Sequence, residues 1–347
     1  MASRTALITG ASGFFGGILK RTLLAQGWSC VNLDLLPDDD RHPQLESIQG
    51  DIRSAETLEA IFSTHFFDVV FHCAAILAHG TPDKQFLWTS NVDGTRCVAE
   101  AAKKYKVPKV IFTSSNCLWG ESFHRPVRED DAPAPVELYG RSKGEGEKIL
   151  LSYVQDFDVT IFRCPTIMAE ERLGLLSILF EFIDEGRRVW VVGGGCNRYQ
   201  FIYAGDLADA CLRAVDHAGS TVFNIGSDSV KTLREVFTFV TDKAGTGARV
   251  TALPRTLTLL AMRIAFWLGM SPLGPYQYKM IAEDFEFDTS KIKRELGWHP
   301  TLTNGEMLWK AYNHYHQHRG EIEHRTNVSA HRQPAKMGII RLLKWMS

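Results

Sequence analysis

The chain has 347 residues and a mass of 39.0 kDa, room for two folding units at about 150 residues each. Hydrophobic residues make up 45% and charged residues 23%, a globular balance that argues against wholesale disorder. Lys+Arg 39 against Asp+Glu 40 leave a net charge of -1, which argues against a protein that holds nucleic acid through bulk positive charge.

The first half alternates strands and helices. Ala6 to Thr9 predicts a short apolar strand, and Phe14 to Gln26 a helix stopped by Gly27. Strands follow at Cys30–Leu33, Asp68–Cys73, Val110–Thr113 and Val159–Arg163. Helices at Ala55–Thr64, Asn91–Tyr105 and Tyr139–Tyr153 separate them. Continuous apolar strands with intervening helices predict an α/β fold with a doubly wound parallel sheet. The expected division is a nucleotide-binding unit at 1–165, with returns from about 200–228. A smaller mixed α/β lobe interleaves at 166–313, and a polar tail with a short amphipathic helix follows at 314–347. In the second half, Val189–Val192 and Val222–Ile225 read as strands, and Asp206–Val215 and Leu233–Ala244 as helices.

The seven cysteines include no Cys-x-x-Cys pair, so no disulfide framework or zinc module is expected, and free thiols fit a cytoplasmic setting. The start of the chain runs directly into a strand-like stretch rather than a secretory leader. Leu257 to Met270 is apolar but too short to span a bilayer. It reads as a core helix of the small lobe, or as a greasy lid. His314, His316 and His318 lack an acidic or cysteine partner nearby, so no metal is expected.

Thr9-Gly10-Ala11-Ser12-Gly13-Phe14-Phe15-Gly16 follows a strand and opens a helix. Gly10 allows the tight turn, Gly13 lets the backbone approach a pyrophosphate, and Gly16 lets helix and strand pack closely. Asp34 closes the second strand and can accept from both ribose hydroxyls, with no Lys or Arg directly after it. That favours NAD over NADP. Asp51, followed by Ile52, could accept from the adenine amino group.

Tyr139-Gly140-Arg141-Ser142-Lys143 stacks Tyr and Lys on one helix face. A neighbouring ammonium lowers a phenol's pKa and favours the phenolate. Ser114-Ser115-Asn116 ends a strand on the carboxyl edge, where ligands of such sheets bind. Ser115, Tyr139 and Lys143 together suit the redox chemistry of an alcohol and a ketone.

In order, these motifs resemble the extended short-chain dehydrogenase/reductases of the NAD-dependent epimerase/dehydratase family. His72-Cys73-Ala74-Ala75, Asn91-Val92-x-Gly94-Thr95, Arg198-Tyr199-Gln200-Phe201-Ile202, Phe223-Asn224-Ile225-Gly226 and Leu296-Gly297-Trp298-x-Pro300 extend the likeness over about 5–313. The resemblance implies NAD as cofactor, Tyr139 as acid/base, Lys143 as its partner and Ser115 as the substrate-orienting hydroxyl. It implies that Gly10, Gly13, Phe14, Phe15, Gly16, Asp34, Asp51, Ile52, Ala74, Ala75, Asn91 and Pro165 attend the cofactor along with Tyr139 and Lys143. Arg198 resembles the residue that binds a nucleotide diphosphate, and Ser115, Asn116 and Thr166 would meet substrate. A homodimer through the helices carrying Asn91 and Tyr139 is also implied.

Departures narrow the reaction. Asn116 and Cys117 stand where 4,6-dehydratases carry an acidic pair, which disfavours dehydration. The expectation is a 4-epimerase of a nucleotide sugar working through a 4-keto intermediate. The alternative is an NAD-dependent dehydrogenase or ketoreductase of a sugar or steroid-like secondary alcohol. Thr166 and Leu77 replace an Asn and a Lys of the UDP-galactose-type enzymes, so the substrate contacts differ. Met337 to Ser347 carries Arg341 and Lys344 opposite an apolar arc, a pattern for weak peripheral contact with an anionic membrane.

Overall fold

The structure, a computed structural model, describes residues 4–77, 83–268 and 281–322. In chain order the strands are β1 (Thr5–Thr9), β2 (Ser29–Asp34), β3 (Leu45–Gln49), β4 (Val69–His72), β5 (Lys109–Ser115), β6 (Asp158–Cys164), β7 (Thr166–Met168), β8 (Arg188–Val192), β9 (Phe201–Tyr203), β10 (Thr221–Asn224) and β11 (Arg249–Leu253). The helices are α1 (Phe14–Ala25), α2 (Ala55–Thr64), α3 (Lys84–Lys104), α4 (Leu138–Leu151), α5 (Leu176–Asp184), α6 (Ala204–Val215), α7 (Leu233–Ala244), α8 (Arg255–Trp267), α9 (Ser290–Leu296) and α10 (Asn304–Ile322).

The main sheet runs β10-β6-β5-β4-β1-β2-β3, with every neighbouring pair parallel. Its central strands are buried on both faces, as a parallel sheet under two helical layers requires. Strand order reverses at β1, between β2 and β4, so the crevice at their carboxyl ends is the place for a ligand. The edge strand β3 (LESIQ) was not expected. Only Leu45 and Ile48 are apolar and half-buried, and the other three residues are polar, so no apolar run marks it.

One core lies under α1 and α6 and reaches Ile292 of α9 and Trp298. The other lies under α2, α3 and α4. Late segments therefore complete the first-half core: Trp298 Nε1 donates to the Asp206 carbonyl at 2.8 Å, and Thr301 Oγ1 donates to the Asp206 carboxylate at 2.6 Å. A third core joins α5, α7 and α10 around the short pairs β8–β11 and β7–β9.

Two expectations need correction. The polar tail does not begin at 314, because α10 continues to Ile322 and buries Tyr315 and Ile322 against the lobe. The segment 323–347, with its amphipathic stretch, lies outside the described residues. The apolar run from Leu257 is not a core helix: within α8 only Ala265 is buried. No helix among the described residues is long and apolar enough to cross a membrane.

The helix that matters most for chemistry is α4, and it is held in two ways. A Cβ on Gly140 would lie 2.1 Å from the Cys117 carbonyl, so only glycine lets α4 start this close to the end of β5. Arg163 of β6 grips Glu147 of α4 through Nε at 3.1 Å and Nη2 at 2.8 Å, both side chains almost fully buried. Arg163 Nη1 also donates to the Glu129 carbonyl at 2.8 Å. Removing one partner of such a pair strands a buried charge, at a cost of about 3–5 kcal/mol. We expect Arg163→Met to lower unfolding free energy by about that amount in urea denaturation. Adding Glu147→Leu should recover most of the loss. A single variant within about 1 kcal/mol of wild type would show that the pair does not hold α4.

Candidate active site

The glycine loop joins β1 to α1 at the switch point. Gly10 has φ of 78°, and a Cβ there would lie 2.7 Å from Ala74 Cα. At Gly16 a Cβ would lie 2.3 Å from the Gly10 carbonyl oxygen. Both approaches exclude any side chain. Gly13 is the N-cap of α1 and supplies no side-chain cap, so an anion can take that role at the positive end of the helix. The side chains of Phe14 and Phe15 are buried in the core, so only their backbone can serve a cofactor.

Asp34 Oδ2 accepts from Ser12 N at 2.9 Å and Oδ1 from Leu36 N at 2.9 Å. Burial raises its pKa, and those backbone donors pull it back. Each oxygen keeps a second lone pair for a ribose hydroxyl. A glycine loop packed too closely on the segment after β4 and on itself for any Cβ, a helix start without a side-chain cap and this carboxylate together fit a dinucleotide.

Other expected cofactor residues are engaged within the fold. Asp51 is taken by Arg53, with Nη2 at 2.6 Å, and Ile52 packs against Gly94 of α3. Ala74 N donates to Thr9 Oγ1 at 3.3 Å, with Ala75 following it. Asn91 Oδ1 accepts from Ile76 N at 2.7 Å, and its Nδ2 donates to the Ile76 carbonyl and to Ser142 Oγ, each at 3.0 Å. Asn91 thus ties the segment after β4 to α4. Pro165 is buried between β6 and β7.

Ser115 ends β5, and Tyr139 and Lys143 occupy the first turns of α4. The Ser115 hydroxyl accepts from Cys117 N at 3.2 Å and lies close enough to the Tyr139 phenol to favour its ionised form. Burial pushes the phenol well above its ordinary value, with Cys117 and Cys164 adding to the rise. The Ser115 hydroxyl and the Arg172 guanidinium pull it back. Lys143 Nζ sits 4.1 Å from the centre of the Phe112 ring. Burial takes Lys143 down to about 8, against the thiols of Cys73 and Cys164 and then the Glu147 carboxylate.

Arg172 was not singled out in the sequence, where Glu170-Glu171-Arg172 reads as a solvated charge run. Its guanidinium lies 5.6 Å from the centre of the Phe14 ring and acts on both Tyr139 and Tyr199. Desolvation lowers it to about 10. Tyr199 was also passed over. Its hydroxyl accepts from Asn116 Nδ2 at 2.6 Å and lies 3.5 Å from Thr166 Oγ1. Arg198 faces the other way. It is exposed and lines an open cavity of about 370 Å³ with Ser229, Lys231, Glu235 and Glu286. Adjacent residues of an extended segment point to opposite faces, so only one of the pair can join Asn116 and Thr166.

The lowered pKa of Lys143 has a stability consequence. Between about pH 8 and 10.5 the unfolded chain binds this proton and the folded one does not, so folding gains stability as pH rises. The difference in melting temperature between wild type and Lys143→Met should move in favour of wild type from pH 8 to 10. A pH-independent difference would show that the buried ammonium carries no penalty.

The chain matches the NAD dependent epimerase/dehydratase family over residues 6–226. It is 36% identical over 344 residues to an uncharacterised protein of Sinorhizobium fredii, covering 99% of this chain and 86% of that one. It is 30% identical over 258 residues to a UDP-glucose 4-epimerase of Mycolicibacterium smegmatis, covering 69% of this chain and 82% of that one. Its fold matches the crystal structure of a Thermotoga maritima UDP-glucose 4-epimerase with UDP-glucose at a TM-score of 0.75 and 22% identity, over 90% of this chain and 99% of that one. With the cradle, the strand order and the Ser-Tyr-Lys group in place, the chain belongs to the NAD dependent epimerase/dehydratase family.

Proposed function

We propose that this protein is an NAD-dependent epimerase of a nucleotide-activated sugar, acting at C4 through a transient 4-keto sugar. The observation that carries the proposal is the meeting of Ser115, Tyr139 and Lys143 at the carboxyl edge of the sheet, beside the glycine cradle, with Asn116 and Cys117 supplying no further acid or base. The cytoplasmic setting and a homodimer through α3 and α4 are part of the proposal.

The chemistry NAD supplies when bound is reversible hydride acceptance. Tyr139, as phenolate, takes the proton of the C4 hydroxyl and returns it at the end of the cycle. Ser115 holds the same oxygen, which fixes the carbon against the cofactor. Lys143 binds the cofactor ribose and keeps a positive charge beneath the site. In the ligand-free protein the phenol is held protonated, so the base forms only when further positive charge enters the crevice. Arg172 supplies part of that charge already. Asn116, Thr166 and Tyr199 line the sugar side, where a hydroxyl or amide of the substrate can exchange with their mutual hydrogen bonds. Net epimerisation needs the keto sugar to turn over between proton removal and return, which a loosely held sugar ring permits.

The deciding experiment follows both epimers of a UDP-sugar by NMR, with NADH read by absorbance. Epimer interconversion without accumulating NADH is expected, and Tyr139→Phe should slow it by about 10³-fold while still gaining thermal stability from NAD. Steady NADH production from a simple secondary alcohol would replace this reading with the dehydrogenase. Arg172→Met should move the acid limb of the kcat profile to higher pH by about one unit, and Arg172→Lys should restore most of it. An unchanged profile would limit Arg172 to packing.

A further inference from the structure

α8 is apolar on two sides, which is unusual for a helix on the surface. Thr258, Leu259, Met262 and Ala265 turn toward the protein and are partly or fully buried. Leu257, Leu260, Ile264, Trp267 and Leu268 turn away. At 3.6 residues per turn these five fall on an arc of roughly 100°. Trp267 is 85% exposed and Leu257 66%, and the other three are each more than half exposed. A contiguous apolar stripe of this kind marks an interaction surface.

The charge around it selects the partner. α8 carries no acidic residue, and its two charged side chains are Arg255 and Arg263. Both are exposed; Arg263 borders the stripe, and Arg255 stands on the opposite side at the start of the helix, against Gly193. A two-fold pairing of this face with a second copy would close over Arg263 with no acid on α8 to balance it. An anionic lipid surface meets both demands, taking the apolar stripe into the acyl boundary and the Arg263 guanidinium at the headgroups. Phe266 and Trp267, both exposed at the end of the helix, suit that boundary. We propose that α8 is an interfacial anchor that seats this protein on an anionic membrane.

The anchor lies beside the substrate side of the molecule. α8 packs against the Gly193–Gly195 turn, where a Cβ on Gly193 would lie 3.3 Å from the Arg255 side chain. The chain runs from that turn into Arg198 and Tyr199. A docked protein would therefore hold its sugar-facing wall close to the lipid surface. This inference does not depend on the epimerase reading, since it rests on α8 alone.

The test uses the full chain and sedimentation with vesicles of phosphatidylcholine alone or mixed equally with phosphatidylglycerol. Binding to the mixed vesicles is expected, weakening at high salt, with little binding to phosphatidylcholine. The variant L260E/I264E/W267E should lose about tenfold or more in vesicle affinity while keeping its turnover of soluble substrate. If the triple variant fails to fold, Trp267→Ser alone should still weaken binding. No vesicle binding by wild type would overturn the proposal. So would unchanged binding by a folded variant, which would assign the contact to another segment such as 337–347. A third overturning result is a wild-type oligomer that the substitutions dissociate, making this face a contact between copies. A dimer through α3 and α4 would survive them.

Discussion

The buried pair of Arg163 and Glu147 is the constraint from which the site follows. β6 and α4 are adjacent in sequence but must meet at a fixed height for chemistry to occur. The guanidinium fixes that height, because it reaches Glu147 on the helix and the Glu129 carbonyl at once. With α4 held there, Lys143 comes over Phe112 of β5 and Tyr139 reaches Ser115. A charged clamp in a buried place is costly to desolvate, and its compensation is the double set of hydrogen bonds. The same clamp places a carboxylate near Lys143, which steadies an ammonium that burial would otherwise discharge.

The site is electrostatically poised rather than preset. Burial discourages both the phenolate of Tyr139 and the ammonium of Lys143, so the ligand-free site holds a neutral phenol beside an ammonium that gives up its proton from about pH 8. His72 shows the same tendency a layer deeper. It is fully buried between Thr9 and Thr95, and desolvation takes its ring down to about 3. It therefore stays neutral and serves as a brace between β1, β4 and α3. The thiols of Cys73, Cys117 and Cys164 line this region, half-buried at Cys73 and Cys117 and buried at Cys164, so little polar surface competes with charge added there.

Much of this was legible in the chain. The strands β1, β4, β5 and β6 are short apolar runs, and the glycine loop names its own place between β1 and α1. Ser115, Tyr139 and Lys143 could be grouped because strand ends and helix faces are set by simple periods. What escaped was decided by tertiary context. β3 is an edge strand with a polar sequence, so its pairing comes from β2 and not from its own pattern. Arg198 and Tyr199 differ by one position, and only the bridges of that segment to Thr232 and Phe285 show which side chain turns inward. Asp51 pairs with Arg53 and stays part-exposed, an engagement its place in the sequence does not reveal. Arg172 carries no motif at all.

The stapling of the late segment to α6 bears on how the protein is made. The core on the α1 side is closed by Ile292 and Trp298, and one edge of the main sheet is β10. A ribosome that has delivered only the first half has produced most of a sheet with one face covered by α1 alone and its β6 edge unpaired. The cofactor-binding unit therefore matures near the end of synthesis, not at its middle. Until then the nascent chain carries an open β-edge, the feature that chaperones and misassembly both exploit.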